Sequence, residues 1–129
     1  MCSAALTTAG ELPKAKHVIH SVAVGLVEGE LTCNPLVVYD SALNVLEVAD
    51  SNGLTSVAFP ALGSGLYGVP QEQSFGAIAH AATRFLRENP ETTVQKVLLV
   101  SLDPNIPKPS LTSELKSDLL IRATRDRLN

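Results

Sequence analysis

Apolar residues recur along this chain at two spacings, and the alternation between them predicts its elements. Short apolar or β-branched runs at residues 4–8, 17–24, 56–62 and 96–102 read as strands. Between the second and third of these, Tyr39, Ala42, Leu43, Leu46 and Ala49 fall on one helical face. Asn34 supplies the cap of that helix with Pro35 at its first position, and Asn52-Gly53 stops it. Phe75, Ile78, Ala79, Ala82, Phe85 and Leu86 make a second stripe, ended by Asn89-Pro90. The run K-V-L-L-V-S-L at 96–102 is apolar almost throughout, which predicts a strand covered on both faces. Beyond Pro104, Pro107 and Pro109, Thr112 or Ser113 can cap a last helix that carries Glu114 in its first turn. Leu115, Leu119 and Ala123 would form its buried face, with Arg122, Arg125 and Arg127 near its end suiting the dipole.

Alternating strands and helices place the chain in the α/β class. With 129 residues, 45% of them hydrophobic and 18% charged, it can bury one core, so residues 1–129 read as a single domain. A formal net charge of -3 provides no global basic field, and nucleic acid is an unlikely partner. No apolar run approaches the roughly 20 residues of a membrane span, and no basic segment followed by an apolar one opens the chain, so a cytoplasmic protein is expected. Cys2 and Cys33 are the only cysteines and stand outside any metal-ligand spacing, which predicts reduced thiols and no metal.

The candidate chemistry lies between the third strand and the second helix, in Gly63-Ser64-Gly65-Leu66-Tyr67-Gly68. Glycines let consecutive backbone N–H groups turn toward one anion, and a helix start adds unsatisfied N–H groups and a favourable dipole. The letters also satisfy G-x-G-x-x-G. In a dinucleotide-binding unit, however, the last glycine lies within the helix and an acidic residue about 20 positions on holds the ribose. Here Pro70 separates the glycines from the helix and the offset falls near Glu88, at a helix end, so that reading fails.

Three stretches stand in order along the chain, A-L-T-T-A-G-E-L-P at residues 5–13, H-V-I-H-S-V at 17–22 and V-A-F-P-A-L-G-S-G-L-Y-G-V-P at 57–70, the last being long and specific. Together they resemble the macro domain, the family of modules that bind ADP-ribose and related metabolites. The resemblance implies a three-layer α/β/α fold. It also implies that backbone N–H groups of Ser64, Gly65, Leu66 and Tyr67 grip a diphosphate within the Gly63–Gly68 loop, with Tyr67 lining a ribose. A residue near Asp103, at the end of a core strand, would flank the adenosine, although Asp before Pro also reads as a plain strand stop.

The family's first strands, its D-A-I-V-N-A-A-N loop and its glycine-rich G-G-G-V-D-x-A-I stretch have no counterpart here, so a truncated macro-like domain is expected. In the family sheet the missing strand would lie between those at 17–24 and 56–62. Unpaired buried backbone groups cost about 1 to 3 kcal/mol each, so the gap must be closed. The two strands could pair directly, a second copy could supply the surface, or the true polypeptide could be longer. A reduced mixed sheet of about four strands with a homodimer contact is the favoured expectation.

His20 matches the family's strand histidine, but a lone strand histidine reads more simply as a satisfied core residue. No catalytic residue can be assigned, because the groups that position water in macro-domain hydrolases belong to the absent loops. Weak or no ADP-ribosyl hydrolase activity is therefore expected unless an upstream segment or a partner supplies them. The leading reading is a binder of ADP-ribose or a related nucleotide diphosphate, without a cofactor. The alternative is a degenerate fold that self-associates or binds a partner, keeping the loop only as a turn.

Overall fold

The computed structural model describes residues 4–8, 10, 15–65, 67–101 and 119–123. Strands β1 (Ala4–Thr8) and β2 (His17–Ser21) pair antiparallel, with Leu6 opposite Ile19. A short hairpin follows, β3 (Gly25–Val27) and β4 (Glu30–Thr32). Its two turn residues, Glu28 and Gly29, have φ of 51° and 82°, the paired positive angles of a type I′ turn whose twist matches the flanking strands. The sequence reading ran the second strand through residue 24 and did not anticipate this hairpin.

Helix α1 (Pro35–Ser51) begins and ends as its sequence predicts. The Asn34 side chain accepts a hydrogen bond from Val37 N–H at 3.0 Å, and Pro35 needs no partner for a missing N–H. At the far end Gly53 turns left-handed at φ 68°. Leu54 N–H then returns to Ala49 C=O at 2.9 Å and Gly53 N–H to Asp50 C=O at 3.1 Å, the paired bonds of a Schellman stop. The buried face is Val38, Ser41, Ala42, Val45, Leu46 and Ala49, which leaves Tyr39 and Leu43 at its border.

Strand β5 (Ser56–Phe59) leads through the glycine loop to α2 (Gln71–Glu88), and α2 leads to β6 (Lys96–Ser101). β5 and β6 run parallel, with Val57 opposite Val97 and Phe59 opposite Leu99. Those four side chains join Val38, Leu46, Phe75, Ile78 and Phe85 in one core, in which α1 packs against α2 and against β1 and β2. Alternation puts every second strand residue on the other face. There Ala58 is exposed and Leu98 and Val100 are half-buried. The apolar run of β6 is thus fully covered on one face only, unlike the two-sided burial expected from its composition.

The mixed α/β class stands, but the strands do not form one sheet of about four. Among the described residues they divide into β1-β2, β3-β4 and a parallel piece made of β5, β6 and β7 (Leu119–Ala123), and β2 does not pair directly with β5. The third piece contains the largest correction to the sequence reading, since Leu119–Ala123 is strand β7, parallel to β6, and not the end of a helix. A five-residue run L-L-I-R-A satisfies either period, and the edge of β6 offers a ladder of backbone partners that a terminal helical turn cannot match. Leu119, Arg122 and Ala123 therefore belong to a strand, while Thr112, Ser113, Glu114, Leu115, Arg125 and Arg127 lie outside the described residues.

Candidate functional site

The glycine loop sits where the carboxyl ends of β5 and β6 meet the start of α2, and its lower part is tightly built. Gly63 has φ 75°, a conformation that costs little only without a Cβ. It also has no room for one: a Cβ would lie 2.5 Å from Cys33 Sγ and 3.2 Å from Val69 Cγ2. Cys33 and Val69 are both buried beneath it. Val69 N–H donates to Gly63 C=O at 3.0 Å and closes the loop at its neck.

A second tie comes from α2. Ser74 is fully buried and its Oγ donates to Leu62 C=O at 2.7 Å, binding the strand exit to the first turn of the helix. Ser101, at the end of β6, donates through Oγ to Gln71 Oε1 at 3.0 Å, which joins the third side of the corner. The sequence reading found none of Cys33, Ser74, Gln71 and Ser101 as parts of the site. A serine inside the apolar stripe of α2 was the one available signal, because a buried hydroxyl needs a partner.

Above the neck the loop opens. Ser64 N–H donates to Ala61 C=O at 3.2 Å, and Gly68 N–H, at φ 68°, donates to Gly65 C=O at 3.1 Å. Those two turns consume two of the loop's donors. The N–H groups of Gly65 and Tyr67 take no acceptor among the described residues. Gly65 and Gly68 are exposed with free space where a Cβ would stand, and Tyr67 is 40% exposed. Helix α2 adds a start that no side chain caps, Pro70 holding the cap position and Glu72 its first turn. The arrangement can present backbone donors and a positive helix end to an anion.

The remaining sequence candidates fall elsewhere. Leu66 and Asp103 lie outside the described residues. His20 is exposed on β2 and not in the core, with Nε2 3.1 Å from Thr7 Oγ1 across the hairpin. Cys33 is a buried cysteine. Among the described residues no helix is long and apolar enough to cross a membrane, and no three His, Cys, Asp or Glu side chains gather as metal ligands.

Comparison with known proteins agrees with this architecture. The family model Macro domain matches residues 1–96. An uncharacterized protein of Thermotoga maritima is 32% identical over 105 residues, which cover 81% of this chain and 17% of the other. An O-acetyl-ADP-ribose deacetylase of Klebsiella pneumoniae is 37% identical over 101 residues, 78% of this chain and 55% of that protein. The protein of the same description from Escherichia fergusonii is 44% identical over 68 residues, 53% of this chain and 37% of the other. The chain thus spans about half the length, or less, of these relatives. A strand, a closed glycine loop and a helix start, in a chain matched by the family model over residues 1–96, establish that this protein belongs to the macro domain family.

Proposed function

We propose that this protein binds ADP-ribose or a related nucleotide diphosphate through the crest of the Gly63–Gly68 loop. The observation that carries this reading is the pair of N–H groups, on Gly65 and Tyr67, that take no acceptor among the described residues, beside a start of α2 that no side chain caps. A diphosphate is the ligand such donors suit, since it accepts several N–H bonds at once and gains from the helix dipole. Ser64 contributes its hydroxyl, its own N–H being engaged in the turn to Ala61. Tyr67, exposed at the rim, offers a face to the sugar, and Leu66 and Asp103 complete the proposed contact set.

Titration calorimetry of the chain with ADP-ribose tests this, with Gly65→Glu as the control. A Cβ at Gly65 meets no atom within 4 Å, so the variant is expected to keep its fold while placing charge and bulk where the diphosphate would sit. Loss of binding heat in a folded variant supports the loop as the site. Heat that persists in the variant, or no heat from the wild-type chain, rejects it.

The names of the Klebsiella and Escherichia relatives favour a second reading, hydrolysis of O-acetyl-ADP-ribose. Incubating the chain with that ester and following acetate release decides it. Turnover abolished by Gly65→Glu would make the same loop an enzyme's substrate clamp. A homodimer and a cytoplasmic location remain parts of the proposal, to be tested by light scattering and by fractionation.

A further inference from the structure

Between α1 and α2 lies a groove of about 640 Å³ that shares no residue with the glycine loop. One wall is the first turns of α1, with Leu36 at 68% exposure and Tyr39 beside it. The other is a stripe of α2 in which Ala77, His80, Arg84 and Arg87 recur at three- and four-residue spacing. Arg84 is held in place: its Nη1 donates to Tyr39 Oη at 3.1 Å and its Nε pairs with Glu88 at 3.0 Å. Arg87 has no ion pair among the described residues, and α1 carries no acidic residue in its first turn.

The groove therefore joins an exposed apolar floor to a positive rim, in a chain whose net charge is -3. Leu36 is 68% exposed, and the guanidinium of Arg87 has no ion-pair partner among the described residues. One chemistry answers both. We propose that this groove docks an acidic peptide segment of a partner protein, in which a leucine or phenylalanine seated on Leu36 and Ala77 is flanked by carboxylates that meet Arg84, Arg87 and His80. A nucleic acid fits less well. Two guanidinium groups, one of them answered by Glu88, are few for following a phosphate backbone, and the aromatic ring present has its hydroxyl tied to Arg84.

The test uses fluorescence anisotropy of the full chain with a labelled decapeptide, E-D-E-L-F-D-E-L-E-D. Three further probes accompany it: the same peptide with serine at the apolar positions, one with lysine at the acidic positions, and an oligothymidylate of equal length. The acidic apolar peptide should bind at least about tenfold more tightly than any of the others, and Arg87→Glu and Leu36→Ser should each weaken it by about tenfold. Both side chains are exposed, and a circular dichroism melt confirms that the variants fold. If Leu36→Ser melts early, Arg87→Glu alone decides. Preference for the oligonucleotide or the lysine peptide, equal affinity in the variants, or no binding of the acidic peptide overturns the proposal.

Discussion

The neck and the crest of the glycine loop use the same residue type for opposite reasons. At the neck Gly63 is glycine because Cys33 and Val69 fill the place of a side chain and the backbone is left-handed. At the crest Gly65 has open space around it and ordinary φ, so nothing inside the protein demands glycine there. In the proposed function that position faces the diphosphate. The pair then separates a glycine that the fold requires from one that only the proposed ligand requires: the first is hemmed in by its own chain, the second is free of it.

That contrast can be broken most forcefully at Gly63. Gly63→Ala should destabilise the fold by about 2–4 kcal/mol, through overpacking against Cys33 and a strained positive φ, and chemical denaturation will measure it. Cys33→Ala in the same chain removes the 2.5 Å clash and leaves Cys33 Cβ at 3.5 Å, so it should restore about half of the loss. Failure of that rescue would place the cost in backbone strain and the remaining 3.2 Å contact with Val69.

Ser74→Ala is expected to cost about 1–3 kcal/mol, because the Leu62 carbonyl loses its bond and the buried site loses its hydroxyl. It should weaken ADP-ribose binding as well, by loosening the corner on which the crest stands. Asn34→Ala reaches the neck indirectly. Removing the cap of α1 should cost about 1 kcal/mol and free the turn that holds Cys33 under Gly63, a change that hydrogen exchange at Val37 and Val69 would register. Gly65→Glu stands at the bottom of the stability scale, within about 0.5 kcal/mol of wild type, while having the largest effect on ligand binding. A large stability loss in that variant would erase the distinction between neck and crest.

Much of this was legible in the residues. The cap Asn34-Pro35, the stop Asn52-Gly53 and the stripe from Phe75 to Phe85 carry local chemistry that does not depend on the rest of the chain, and each appears where the sequence places it. The glycine loop was legible for the same reason. Residues 119–123 were not, because a run of apolar residues too short to show a period takes whichever partner is nearest, and that partner is β6. The hairpin at Glu28-Gly29 is not legible in the same way, because Glu-Gly lacks the Asn or Asp that marks such turns and Glu30 interrupts the apolar pattern after it. Cys33 and Ser74 act across 30 and 12 residues of sequence, distances over which no local pattern extends.

By itself, the sequence determined helices α1 and α2, where they start and stop, and that a glycine loop precedes α2, since propensity, capping and glycine freedom operate within a few residues. Only the tertiary structure decided that the strands form separate pieces, that Gly63 is locked by Cys33, and that Arg84 and Leu36 face one groove. Those outcomes depend on which surfaces meet once the chain has closed, and contact between distant residues is governed by packing of the whole core.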